Sequence, residues 1–484
     1  MKLKHTYLDY KKGKNKMAEQ HNVNKEQEQM DQLYHWILES KYEDFPAELV
    51  AYAKMLMLDV LGCIIGGSKE EAIPEVINFV KEHGDTKESY LPIFGGQYSA
   101  AMVGFALGSM ARSLDFGDVH MQGSHTSEYV FPTLLAATGL KNKVTGSDLL
   151  NAFVVGNEVL IRMGIASNWK DAIVNQIYRG GHFIFGVIAA VAKLLDLNQH
   201  ELNNAMGMAI GKIQPHHTPL ILKYPSHMVR LHHGFIAQDA INICLLAKKG
   251  LTGPNNVILG EGGFLDRFPK SMRNPDAVIK NLGKTWHVLE TSMKPYPACK
   301  CTHTGIEALL LLMKEHKFKA EDIQNIHVKE SSFSYSIVCV PEDKVYKPTT
   351  KAESQFSLPY VLSIAAINQN VWLDSYTPEL RNRADVKAMM KKITFEKDSS
   401  LPNITAVITI KLNNGNEYKK EVIYPKGDRV HNPITREELL EKFHRLLSNS
   451  ANPINSNVTK LLIDAVDNIE KIDDVEKEII FPLC

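Results

Sequence analysis

The run Pro46-Ala-Glu-Leu-Val-Ala-Tyr-Ala-Lys-Met-Leu-Met-Leu-Asp-Val-Leu-Gly62 decides how the first half of this chain is read. A proline in the first turn loses no hydrogen bond there, a long apolar face follows, and Gly66-Gly67 offers a stop. Working outward, Thr145-Gly-Ser-Asp148 opens a helix over Leu149–Met163, and Asn198 with Glu201 opens another through Ile210. In both, a side-chain oxygen stands where it can take up an unpaired N–H of the first turn. Gly234–Lys249 reads as a further helix that stops at Gly250. From about Met30 to Leu289 there is almost no β-branched alternation, so this half is expected to be an all-helical domain with a substantial core.

After His287 the pattern changes. Ile323–Val340 is rich in Ile, Val, Ser and Phe with partial alternation, and Ile404, Ala406, Ile408, Ile410 and Leu412 alternate strictly. Asn414-Gly415 beyond them predicts a type I′ hairpin turn. Helical patterns lie between, over Gly305–Lys314, Phe356–Asn368 and Ala384–Lys392. The capping sequence Thr435-Arg-Glu-Glu438 then returns the chain to helices. The expected fold is therefore mainly α: a large helical domain (residues 29–288 and 427–484) interrupted by a smaller α+β lid domain (residues 289–426). The cleft between the two is the default active site. Residues 1–28 carry six lysines by position 16, lack the apolar core of a signal peptide, and are expected to form a disordered tail. Met17 is an alternative start.

Composition narrows the function classes. Lys plus Arg and Asp plus Glu both number 55, so no net field recruits nucleic acid or a membrane. The longest apolar runs, near Met55–Ile65 and Phe183–Leu195, contain Asp59 and Lys193 and read as buried helices shorter than a bilayer span. Six scattered cysteines with no secretory signal point to reduced thiols in the cytoplasm. Cys299-Lys-Cys-Thr-His303 lacks the second ligand pair of a structural zinc site, so no metal is expected there. No nucleotide-binding glycine loop is present.

Three stretches carry chemistry. Asp115-Phe-Gly-Asp118-Val-His120-Met-Gln-Gly-Ser-His125 sets two carboxylates and two imidazoles between apolar helical runs, as proton transfer requires; a solvated loop of helix caps is the alternative. Lys223-Tyr-Pro-Ser-His227-Met-Val-Arg230-Leu-His-His233 collects cations before a helix, which suits a carboxylate, or is a solvated helix entry. Lys294-Pro-Tyr-Pro-Ala-Cys299-Lys-Cys-Thr-His303 lies at the predicted domain junction, stiffened by two prolines.

These residues resemble the MmgE/PrpD superfamily, which includes 2-methylcitrate dehydratase, cis-aconitate decarboxylase and iminodisuccinate epimerase. The resemblance runs from about residue 30 to 480. Its carriers are Leu58-Asp-Val-Leu-Gly62, Leu114-Asp-Phe-Gly-Asp118 with His125, Gly156-Asn-Glu158 with Arg162, Gly250-Leu-Thr-Gly-Pro254, Lys294-Pro-Tyr-Pro with Cys299 and His303, and Ala352-Glu-Ser-Gln-Phe-Ser-Leu-Pro-Tyr360. It implies a helical domain with a smaller α+β lid, a homodimer, and no cofactor. It places Asp115, His125, Lys294 and Tyr335 around the pocket and brings in Cys299 and His303. Two positions depart from the pattern. A family lysine falls on Val229, leaving Arg230 or Lys223 as substitutes. The family's Gly-x-His is represented by Gly180-Gly-His182, with a spacing to Lys193 shorter by about one helical turn.

The implied chemistry is that of a cofactor-independent lyase acting on a small di- or tricarboxylate. Lys294, Arg230, Lys223, Cys299 and His182 would bind substrate. His125, oriented by Asp115, would move a proton next to a carboxylate, with His303 or Tyr335 as a second acid. Decarboxylation is the favoured outcome; epimerisation and dehydration use the same groups and stay open. A non-catalytic scaffold is disfavoured because Asp115, His125 and Lys294 are all present.

Overall fold

The computed structural model describes residues 25–177, 181–213 and 226–484. The tail expected over residues 1–28 lies outside the described residues up to 24, and residues 25–28 are already helical, beginning α1 (25–39). Helix α2 (Ala47–Gly67) follows Pro46, which serves as its N-cap, and everything from Leu56 to Gly67 on it is buried. Around it stand α3 (Ala100–Ser113), α4 (Thr126–Ala137), α5 (Gly146–Ser167), α6 (Phe183–Leu194) and α7 (Met228–Lys248). Thr145 and Asp148 form a reciprocal capping box at the start of α5, and Asn198 with Glu201 does the same for Gln199–Ala209.

The interior helices are longer and more apolar than the sequence pattern suggested. Helices α2 and α5, of 21 and 22 residues, have the length and composition to cross a bilayer. Their most apolar windows are 78% and 94% buried inside the protein, so both read as core helices.

Helix α3 packs against α7 with the two backbones nearly touching. A Cβ on Gly234 would lie 2.3 Å from the Phe105 carbonyl oxygen and 2.4 Å from Ser109 Oγ, and one on Gly108 would lie 2.9 Å from Gly234 N. This contact sets Arg112, near the end of α3, close to the first turns of α7, which carry His232 and His233.

The chain then crosses to a four-stranded sheet made of β3 (Ile323–Glu330), β4 (Ile393–Lys397), β5 (Ala406–Leu412) and β6 (Glu417–Val422), ordered β4-β3-β5-β6. Strands β3 and β4 are parallel, and the other two pairs are antiparallel. The alternation at 404–412 is the buried side of this sheet: Ile404, Ala406, Ile408, Ile410 and Leu412 are all buried. Helix α8 (His303–His316) covers β5 and β6, and α10 (Leu358–Asn368) packs on α8; between them in sequence lies the short α9 (Ser332–Val338). The turn after β5 differs from the expected type I′. Only Gly415 takes a positive φ (88°), and Leu412 N donates to Asn416 O, closing a three-residue loop. After the sheet, α11 (Arg436–Leu447), capped by Thr435 and Glu438, packs on α2.

The α3–α7 crossing makes a prediction about stability. Gly234→Ala should lower stability by about 2–4 kcal/mol, because its Cβ meets backbone that cannot retreat. A Cβ from Gly305→Ala on α8 meets only side-chain atoms at ordinary contact distance, Leu362 at 3.4 Å, Leu358 at 3.6 Å and Glu330 Oε1 at 3.9 Å, and the change should be neutral or slightly stabilising. Urea midpoints of the two variants check this.

Candidate active site

The site begins where α3 ends. Asp115 has φ +53°, a left-handed conformation that aspartate tolerates better than most residues, and it turns the chain out of the helix. Its carboxylate folds back onto Arg112, and Arg112 Nη1 donates to Asp115 Oδ1. Three residues on, β1 (Asp118–Val119) pairs antiparallel with β2 (Ser292–Met293), with Asp118 opposite Met293. This two-residue ladder delivers Lys294 to Asp115: Nζ lies 3.0 Å from Oδ1 and 2.9 Å from the Asp115 carbonyl oxygen. From α11, the Lys442 ammonium donates to Phe116 O (2.7 Å) and Lys294 O (2.9 Å) and pairs with Asp59 (2.6 Å), tying both segments to α2.

Asp115, Lys294 and Arg112 are buried. Burial pushes the Asp115 carboxyl up, but Arg112, Lys294 and His125 outweigh it and hold the group below the usual carboxylate range. Asp115 is therefore an ionised partner to two cations.

His125 caps the start of α4. Its Nδ1 lies 2.9 Å from the Asp118 carbonyl oxygen, which can only accept, so Nδ1 carries the hydrogen and Nε2 presents its lone pair. The expectation that Asp115 orients this ring gives way to a different arrangement. The Asp118 carbonyl orients it, and Asp115 Oδ1 stands 4.0 Å from Nε2. Burial, then Arg112 and Lys294, depress the imidazolium well below the ordinary histidine range, leaving the ring neutral and basic in form.

Two residues that sequence reading left out of the site sit beside it. Glu128 Oε1 accepts from Gly117 N at 2.9 Å, and Oε2 has no hydrogen-bond partner among the described residues. Oε2 lies 3.6 Å from Arg112, 3.7 Å from His125 Nδ1 and 3.6 Å from His233 Nε2. A Cβ on Gly117 would come within 2.5 Å of Glu128 Oε1, so a larger residue there would displace the Glu128 carboxylate. Burial pushes the Glu128 carboxyl up to about 7 against the pull of Arg112. His233 stacks on Tyr129 at 3.6 Å, and its two nitrogens have no hydrogen-bond partner among the described residues. His233 was legible as the end of the cation-rich stretch, and Glu128 only as part of a helix. Their place beside Asp115 emerges once α3 is packed on α4 and α7.

Arg112, Asp115, His125, His233, Lys294 and Cys299 all line one cavity of about 160 Å³. Residues from the sheet-bearing half close it: Phe333 and Ile337 from α9, and Ile404 ahead of β5. The remaining expected residues fall elsewhere. Tyr335 does not line the cavity; on α9 it faces away from Phe333 and Ile337 and lies 6.1 Å from the Phe395 ring. His303 is buried behind the wall, its Nε2 3.1 Å from the Ala298 carbonyl oxygen. His182 is also behind it: Nε2 lies 3.3 Å from the Gly123 carbonyl oxygen, supporting the loop that carries His125. Arg230 does not line the cavity, while Val229 does. Arg230 Nη2 donates to Gln355 Oε1 at 2.5 Å, and Gln355 in turn donates to Leu114 O and Pro297 O at 2.7 Å each. Lys223, Gly180 and the pair His216-His217 lie outside the described residues. Among the described residues, no group of three or more His, Cys, Asp or Glu side chains converges as a metal site.

Glu128 gives the site a measurable pH signature. Its folded pKa of about 7 is above the ordinary value of 4.5. Between those limits the folded protein holds a proton that the unfolded chain has released, so this group's contribution to stability falls as pH rises. Glu128→Gln should flatten the decline from pH 4.5 to 7, by up to about 3 kcal/mol in total. Urea unfolding of both proteins across that range checks it.

The chain matches the MmgE/PrpD N-terminal domain over residues 31–274 and the MmgE/PrpD C-terminal domain over residues 296–468. It is similar to the cis-aconitate decarboxylase-like protein oryM of Aspergillus oryzae, 27% identical over 92% of this chain and 95% of that one. It is also similar to the cis-aconitate decarboxylase of Aspergillus terreus (25%, over 92% and 94%) and to that of Mus musculus (24%, over 88% and 87%). With both of the family's domains matched in order, this chain belongs to the MmgE/PrpD family.

Proposed function

We propose that this protein is a cofactor-independent lyase that decarboxylates a small di- or tricarboxylate, in the manner of cis-aconitate decarboxylase. The observation that carries the reading is the pairing inside one cavity of a neutral imidazole, His125, with its Nε2 lone pair free, and two buried cations, Arg112 and Lys294. The similarity to cis-aconitate decarboxylases supports the same substrate class.

The cations outnumber Asp115 in the cavity lining, and the excess positive charge draws a polycarboxylate in. Substrate charge then offsets the field of Arg112 and Lys294, which together with burial keeps His125 unprotonated, so the ring takes a proton at Nε2. The bond from carbon to one carboxylate breaks and CO₂ leaves. The electron pair stays on carbon, delocalised toward a neighbouring carboxylate that the cations stabilise. His125 delivers its proton to carbon, and solvent replaces it. Glu128, within 4 Å of both His125 and His233, sets the electrostatics of this transfer.

His125→Ala should reduce kcat by roughly 10²–10⁴-fold while leaving the unfolding midpoint within about 1 kcal/mol of the parent. An unchanged rate would remove His125 from the reaction. The reaction itself is read by proton NMR in deuterated water with cis-aconitate, 2-methylcitrate and chiral substituted succinates. Deuterium at one carbon together with CO₂ release is the expected result. Loss of water or inversion at carbon would instead assign dehydration or epimerisation.

A further inference from the structure

One cation of the cavity has no use in the reaction as described. Lys300 opens the short turn Lys300–Thr302 that leads into α8, lines the cavity, and is only 6% exposed. Its Nζ is buried with no hydrogen-bond partner among the described residues. The other two cavity cations are already engaged, since Arg112 and Lys294 both donate to Asp115. An ammonium taken out of water without a partner is destabilising by several kcal/mol, and a group kept in that state beside a cavity calls for an anion that enters the cavity.

The surroundings agree. Asp428 and Glu307 act on Lys300 from outside hydrogen-bond range, Lys294 and Lys442 repel it, and the buried His303 ring lies close enough to feel it. Burial is the largest effect and pushes the ammonium down to about 7, so an arriving carboxylate would both pair with it and keep it charged. The segment from Lys294 to Lys300 contains Pro295 and Pro297, which restrict how far the two lysines can move relative to each other.

We propose that Lys300 anchors a second carboxylate of the substrate and so makes the cavity select di- and tricarboxylates over monocarboxylates. The proposal rests on the polycarboxylate reading above. With Asp115 neutralising much of the Lys294 end, Lys300 is the cation whose charge is still open to a ligand, and a monocarboxylate can engage only one of the two ammonium groups.

Calorimetric titration with propane-1,2,3-tricarboxylate and with butanoate tests this without needing turnover. The parent protein should prefer the tricarboxylate. Lys300→Met should weaken tricarboxylate binding by roughly 10–100-fold, remove most of the preference for the tricarboxylate over butanoate, and raise the unfolding midpoint of the ligand-free protein, because an unpaired buried charge is gone. Lys300→Arg should restore most of the affinity. Unchanged tricarboxylate binding by Lys300→Met, with the parent still preferring the tricarboxylate, would overturn the role of Lys300 alone. A lower midpoint for both Lys300→Met and Lys300→Gln would overturn it too, marking a structural residue. A parent protein with no preference for the tricarboxylate would overturn the polycarboxylate reading, and this inference with it.

Discussion

A carboxylate sealed from water is held in this fold by a guanidinium three residues before it and by an ammonium 179 residues after it. Neither partner suffices alone. Without Lys294, the β1–β2 ladder is only two residue pairs, too short to hold by backbone bonds. Without Arg112, the left-handed turn at Asp115 loses the contact that makes its direction favourable. Charge neutralisation at one buried oxygen thus joins the helical half of the chain to the segment leading into the sheet, and the cavity forms on the face of that joint.

The same arrangement governs the proton chemistry. Burial, reinforced by Arg112 and Lys294, keeps His125 and His233 deprotonated, and burial also keeps Glu128 close to half-protonated near neutral pH. The resting cavity therefore holds neutral bases beside engaged cations, a state that an anionic ligand is well placed to change. A carboxyl within 4 Å of each of two imidazoles supplies a short route for a proton once the field shifts.

Much of this was legible in the residues, and what was not has a physical reason. Helix starts were readable because capping is local: Thr145 with Asp148, Asn198 with Glu201, and Thr435 with Glu438 form the boxes their spacing announces. The central strand was readable because burial on one face imposes a period of two on Ile404 to Leu412. Asp115, His125, Lys294 and Cys299 stood out in the chemistry-bearing stretches, were assigned to the pocket by the family resemblance, and share the cavity. Tyr335, His182 and His303 show the limit, since nearness in a motif does not say which side of a wall a ring faces. Arg112 and Glu128 looked like ordinary helix charges, because their meaning comes from the packing of α3, α4 and α7. The Asn414-Gly415 turn went astray because the dipeptide favours a left-handed pair while the strand ends here needed only one such residue.

Lys442 gives this geometry an order in time. Its ammonium, on a helix near the end of the chain, donates to the carbonyls of Phe116 and Lys294, the two backbones that carry the site. During synthesis those segments leave the ribosome long before residue 442, at about 5–20 residues per second. For that interval the nascent chain has Arg112, Asp115 and Lys294 but lacks the clasp that sets their spacing. Ligand recognition is then a property of the finished chain, and the partly made protein carries a strongly charged, unlocked loop that its own last helices must find.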